Sequence, residues 1–193
     1  MPPAADDAPF KPWTVLGRKT CYSHQPFLEV SVESVELPDG RRLDDYHQVA
    51  MQEVSVVLAV DPEGSLVCLR QYRHGLRQNC VCLPGGALLP GEPPEQGARR
   101  ELLEETGFAA EHWRFLGTVR PHANYGCGRE HYFLADGLRQ VQAPDSGDLE
   151  EAAIVHLTRA EVEGMVDRGA AMVTGVLAGF LLYLRHSADR QCP

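Results

Sequence analysis

The sequence predicts a mixed α+β fold dominated by strands, and three observations carry that expectation. Apolar residues alternate at period two, or run as short β-branched blocks, along most of the chain. Turn signals built on Pro, Asp and Gly separate these blocks. One central segment breaks the pattern and reads as a helix with an unusual load of carboxylates. The 193 residues suffice for one sizeable core with a small appendage. A hydrophobic content of 44% and a charged content of 23% are those of a globular protein, which excludes global disorder.

The elements follow in order. Residues 1–12 are Pro- and Ala-rich and read as a flexible arm; Asp6 and Asp7 and the lack of an apolar run argue against a secretory signal. Leu28, Val30 and Val32 alternate with Glu29, Ser31 and Glu33 as a half-wet strand. Pro38-Asp39-Gly40 turns the chain, and Arg41 to Ala50 returns as a more polar strand, so residues 13–52 form a small β unit. The main domain is expected over 53–186, with a tail over 187–193. It opens with Val54 to Val60, a turn at Asp61-Pro62-Glu63-Gly64, and a partner strand from Ser65 to Gln71. Cys80 to Leu83 is a short strand. Pro93-Pro94 opens the central helix, which runs to about Thr106 and stops at Gly107. Trp113 to Arg120, Glu130 to Ala135 and Ala153 to Leu157 read as strands, and Glu161 to Asp167 and Ala170 to Arg185 as helices. The apolar run Ala170 to Leu184 is about fifteen residues, short of the roughly 20 that cross a bilayer, so a core helix is expected.

With 27 acidic against 18 basic residues the formal charge is −9, which argues against nucleic acid or an anionic membrane as a partner. The six cysteines, at 21, 68, 80, 82, 127 and 192, include no CxxC pair. Without a secretory signal they are expected reduced, in a cytoplasmic protein, with Cys80 and Cys82 on the same side of their strand.

The chemistry concentrates on the central helix. Glu101, Glu104 and Glu105 fall at i, i+3 and i+4 and so share one face, and Glu92 just before the helix can fold back toward it. Four neighbouring carboxylates repel unless something positive sits among them. Arg100 can pair with Glu104, but one arginine does not neutralise four acids. A hard divalent cation with oxygen ligands does, and Mg²⁺ is the ion that joins carboxylates to substrate phosphates. Upstream, Leu69-Arg70-Gln71-Tyr72-Arg73-His74-Gly75-Leu76-Arg77 carries three arginines and no acid. It reads either as a charged hairpin edge or as a phosphate- and ribose-binding strip, with Arg73 foremost.

Gly86, five residues, Glu92, seven residues, Arg100-Glu101-Leu102, Leu103, Glu104-Glu105, Thr106, Gly107 and Phe108 match G-x5-E-x7-R-E-U-x-E-E-x-G-U at every fixed position. The chain therefore resembles the Nudix hydrolases. Gln71-Tyr72-Arg73 and the preceding β unit are similar to their ADP-ribose and sugar-nucleotide pyrophosphatase branch. The resemblance implies a Nudix fold, an α/β/α sandwich around a mixed sheet. It implies hydrolysis of a nucleoside diphosphate linked to X, with Mg²⁺ as cofactor and Mn²⁺ as a substitute. Glu101 and Glu105 become the principal metal ligands, helped by the carbonyl of Gly85 or Gly86, and Glu104 a further ligand or a base. Arg100 becomes an orienter of the carboxylates, and Arg73, Arg70, Arg77 and Tyr125 the substrate contacts. The branch's late acidic loop corresponds to Asp145–Glu151, with Glu150 the first base candidate beside Asp148 and Glu151. The branch also implies a homodimer built through the N-terminal strands. Val81-Cys82 stand where it usually has Trp-Glu, and Ala123 where it usually has proline, so the nucleotide and X stay open. The competing class is a catalytically silent Nudix-fold nucleotide-binding or sensor module.

Overall fold

The computed structural model describes residues 10–145, 147, 151–168 and 173–189. Contacts divide them into two compact units. The first holds residues up to Gln52 together with His122–Cys127, and the second holds the remainder.

The first unit is an antiparallel sheet of β1 (Thr14–His24), β2 (Leu28–Glu36) and β3 (Arg42–Met51), in that order. β2 is central, so its Ser31 and Val35 are buried, whereas β1 is exposed along its length. β1 escaped the sequence reading because two register shifts break its alternation and neither face is covered. The segment 122–127 joins this unit by accepting hydrogen bonds at the Asn124 carbonyl from Tyr46 Oη and Gln48 Nε2, both at 3.2 Å.

The second unit contains β4 (Val54–Val60), β5 (Leu66–Arg73), β6 (Gln78–Cys82), β7 (Gly85–Ala87), α1 (Pro94–Thr106), β8 (Phe108–Val119), β9 (Glu130–Gln140), β10 (Ala152–Leu157), α2 (Arg159–Asp167) and α3 (Thr174–Asp189). Its sheet runs β10-β5-β4-β9-β8, with β6 on β5 and β7 on β4. The β4–β9 pair is parallel and the others antiparallel, so the sheet is mixed. Alternation along β4 then builds two cores. Val57 and Ala59 join Val67, Phe133 and Ala135 under Ala98 and Leu102 of α1. Leu58 joins Leu66, Cys68, Tyr132 and Leu134 under Val162 of α2 and Val176, Phe180 and Tyr183 of α3. These layers are the expected α/β/α sandwich.

The helix limits have local causes. Pro94 lies in the first turn of α1, and Gly107 ends it in the left-handed region at φ 73°, its N–H donating to Leu103 O. α2 is started by a reciprocal capping box between Thr158 and Glu161. β8 begins at Phe108, directly after the Gly107 turn, five residues earlier than the pattern suggested. The charged-edge reading of the Arg70–Arg77 strip is overturned: β5 is an interior strand, with Arg70 opposite Ala153 on one side and Val81 on the other. No described helix is long and apolar enough to cross a membrane.

Candidate active site

The site is assembled where α1 lies against β4 and β7. Ser55 is the lone hydroxyl in the apolar run 54–60 and is fully buried. Its Oγ donates to the Pro94 carbonyl at 2.6 Å, which fixes the first turn of α1 over the strand. Ser55 also pairs in register with Gly86, and Val56 with Gly85. Gly85 adopts φ 149°, and a side chain there would drive into the Ser55 carbonyl. A Cβ on Gly86 would lie 2.6–2.7 Å from the carboxylate of Glu101. The glycines are therefore required so that a carboxylate can reach the backbone.

Two acidic side chains close on this Gly-Gly segment. Glu105 Oε2 accepts the Gly85 N–H at 2.7 Å, while Glu101 rests on Gly86. Arg100 organises the others. Its Nε and Nη2 donate to the two oxygens of Glu92 at 2.9 and 3.0 Å, and its Nη1 donates to Glu101 at 2.7 Å and Glu104 at 3.0 Å. Nη2 also donates to the Ala87 carbonyl at 3.0 Å, tying α1 to the end of β7. The Arg100 hydrogen bonds hold the Glu92 carboxyl below the usual carboxylate range, and in return these acids push the guanidinium further up. Glu92 also accepts the Leu89 N–H at 2.9 Å. Glu101 and Glu92 are 13% and 12% exposed against 40% for Glu104, so Glu104 is the most open of these three carboxylates.

Among the described residues no three His, Cys, Asp or Glu side chains form a ready-made metal cage. The donor set still suits a hard cation. Mg²⁺ is held by one or two carboxylates plus substrate phosphates and water rather than by an all-protein cage. Glu101 and Glu105 offer that pair of carboxylates against the side-chain-free Gly85-Gly86 stretch of β7. Any Cβ on Gly86 would displace the Glu101 carboxylate from this position.

The acidic loop leaves from the same helix end. Asp145 N–H donates to the Glu104 carbonyl at 2.7 Å, so the loop starts at the last turn of α1. Asp148 and Glu150 lie outside the described residues, and Glu151 is exposed.

The three arginines do not form one patch. Arg73 lines a cavity of about 620 Å³ with Val56, Leu83, Val173 and Val176. The buried Gln71 amide, oriented so that its oxygen meets the guanidinium, accepts from Arg73 Nε at 3.0 Å. Arg70, three residues earlier on β5, falls on the opposite face by the strand's period of two. Arg77 sits in the following turn at φ 53°. Tyr125 is 48% exposed in the segment that joins the first unit, with its ring edge-on to His122 at 6.1 Å.

Ser55 and the Glu53 cluster were missed by the sequence reading. Glu53 accepts from His131 Nε2 at 2.9 Å and Arg129 Nε at 2.7 Å, and its carbonyl accepts the Leu88 N–H at 2.9 Å. Burial raises its carboxyl, but the donors from His131 and Arg129 outweigh burial and hold it low. A single serine inside a β-branched run is the signal that marks Ser55. Glu53 carries none, because its partners lie 76 and 78 residues away.

The NUDIX domain family matches residues 50–174, and the nucleoside diphosphate sugar hydrolase N-terminal domain matches residues 13–49. An ADP-ribose pyrophosphatase of Bacillus subtilis (strain 168) is 31% identical over 153 residues, covering 77% of this chain and 80% of the relative. A CMP-5'-(N-acetyl-N-hydroxy-3-aminopropyl)phosphonate hydrolase of Streptomyces rubellomurinus is 30% identical over 184 residues, covering 94% and 86%. A solved structure of an ADP compounds hydrolase superposes with a TM-score of 0.78 at 20% identity, covering 95% of this chain and 98% of that one, a likeness of fold.

Proposed function

The chain belongs to the Nudix hydrolase family, and we propose that it cleaves the diphosphate of a nucleoside diphosphate linked to X. The products are a nucleoside monophosphate and a phosphorylated X, with ADP-ribose or another nucleotide sugar as substrate. The observation that carries this is the closure of Glu101 and Glu105 on Gly85 and Gly86 of β7. It brings two carboxylates to one point of a backbone without side chains. A silent binding module has no use for this intact set of acids.

We assign Glu101 and Glu105, with the Gly85 carbonyl and Glu104, as the ligands of Mg²⁺, for which Mn²⁺ substitutes. The bound cation supplies charge neutralisation for the diphosphate and activation of the attacking water. Arg100 gathers Glu92, Glu101 and Glu104 around one guanidinium and offsets part of their mutual repulsion. Arg73, braced by Gln71, meets an anionic or ribosyl part of the substrate from the cavity, while Arg70 and Arg77 act from outside it. The proton of the attacking water passes to Glu104 or to Glu150 of the loop that starts at Glu104. We place the enzyme in the cytoplasm, where cysteines stay reduced. We infer a homodimer formed through the first unit, which exposes Val15, Leu16, Tyr22, Phe27 and Met51.

A second reading of the nucleotide has support. Val81-Cys82 replace the Trp-Glu that the ADP-ribose branch sets near the base, and the Streptomyces relative is named for a CMP-linked substrate. The test is turnover with Mg²⁺ across ADP-ribose, ADP- and UDP-sugars, CMP-linked compounds, dinucleotide polyphosphates and NADH. Release of nucleoside monophosphate from one of these is expected. Folded protein that releases none from any of them contradicts the proposal.

A further inference from the structure

We propose that the cavity lined by Arg73 seats the nucleoside monophosphate half of the substrate, with the base on an aliphatic wall and the phosphate end on Arg73. This rests on the hydrolase reading and assigns one half of that substrate to one place. The cavity lies wholly within the second unit and holds about 620 Å³. Val56, Leu83 and Val176 form its wall, of which Leu83 and Val176 are buried. Leu76 and Val173 also line it and remain 45% and 42% exposed, so apolar surface stands open to solvent there. Among the lining side chains only Arg73 and His74 offer strong hydrogen-bonding groups. A concave space of several hundred Å³ with apolar walls and few polar groups is the general form of a small-molecule site.

The chemistry of the two halves decides which one fits. Each half carries a phosphate, and a single guanidinium serves either. They differ in what the phosphate is attached to. A sugar X presents a ring of hydroxyls, and each would lose water against valine and leucine without gaining a partner. A nucleotide presents, beyond its ribose, a flat base. Its faces are covered well by apolar side chains and make contact along their whole area. One cation beside an aliphatic wall is therefore complementary to a nucleoside monophosphate, and poorly so to a sugar phosphate.

The placement agrees with the proposed metal site. Val56 pairs in register with Gly85, whose N–H holds Glu105, and Leu83 lies two residues before Gly85. The wall and the carboxylates are thus joined through the same β4–β7 pair. Gln71 accepts from Arg73 Nε at 3.0 Å, which orients the guanidinium for the phosphate end.

The test is a binding titration of the full chain by ligand-observed NMR in Mg²⁺, with AMP, CMP and ribose 5-phosphate as probes, and so is independent of turnover. AMP or CMP is expected to bind about tenfold or more tightly than ribose 5-phosphate. Val56→Thr keeps the shape of the wall but adds a hydroxyl, and should weaken the nucleotide about tenfold while leaving ribose 5-phosphate unchanged. Leu76→Ser, at an exposed position the fold does not depend on, should act in the same direction. Arg73→Met should weaken all the probes, whereas Leu181→Ser, exposed on α3 outside the cavity, should alter none. The proposal is overturned if ribose 5-phosphate binds as tightly as both nucleotides, or if the Val56 and Leu76 variants bind nucleotide like the wild type. It is equally overturned if those variants weaken ribose 5-phosphate as much as nucleotide, which would give the cavity to X. Failure of the hydrolase reading shows separately, as absent turnover with nucleotide binding intact.

Discussion

Arg100 joins α1, the loop before it and the end of β7 through five hydrogen bonds, four of them to three different glutamates. A guanidinium does this because its planar fork serves several oxygens at once, which an ammonium does not. Its strongest partner, Glu92, has a carboxyl held low chiefly by that hydrogen bond. A carboxyl whose folded pKa is depressed stabilises the fold at pH above its unfolded value, and the contribution disappears as pH falls through the folded one. Melting temperature followed against pH should therefore drop on the acid side of the ordinary carboxylate range. Glu92→Gln should be less stable at neutral pH, with a shallower acid decline. Equal acid slopes in the two proteins would remove Glu92 from this role.

α1 is held at the level of the element by three different means: Leu102 and Ala98 in the core, the Ser55–Pro94 hydrogen bond at its start and the left-handed Gly107 at its end. Ser55→Ala removes one of these and is expected to cost about 1 kcal/mol in urea unfolding. It should also raise the Mg²⁺ concentration needed for half-maximal turnover, since the helix carries Glu101 and Glu105. A wild-type metal response would show that the hydroxyl only supports the fold. Leu102→Ala, which empties a fully buried position, should cost about 2–5 kcal/mol by the same measurement.

What could be read in advance also divides by element. The run Val54–Val60 and the helix from Pro94 to Gly107 were legible because burial and caps leave local marks. β7 was not, since Gly85-Gly86-Ala87 has no pattern and pairs only because β4 is already in place. The union of residues 122–127 with the first unit was hidden as well, resting on hydrogen bonds between residues 76 and 78 positions apart. At the site, the box located the glutamates and Arg100. That Arg70 and Arg73 fall on opposite faces became visible only once β5 was known to span both.

Over the whole molecule the charge of −9 is unevenly placed. Residues 92–105 carry a net −3 and residues 145–163 a net −5. The first stretch is the proposed metal site, and the second begins at the last turn of the same helix. Acidity of this kind attracts a divalent cation, which then brings in an anionic substrate that the bare protein would repel. The exposed apolar residues of the first unit make a further prediction at this scale. Analytical ultracentrifugation should find a homodimer, and Phe27→Asp with Val15→Asp should shift it toward monomer. A monomeric wild type at micromolar concentration would refute that assembly.

Glu105, held against Gly85, is proposed to help bind the cation on which hydrolysis depends. Turnover of a confirmed substrate against Mg²⁺ concentration, for wild type and Glu105→Gln, tests it most directly. The wild type should be inactive in chelator and recover as Mg²⁺ is added. The variant, folded by circular dichroism, should lose at least about a hundredfold, the upper end for removing a mere outer-shell partner. A Glu105→Gln protein with the wild-type Mg²⁺ curve would contradict the claim.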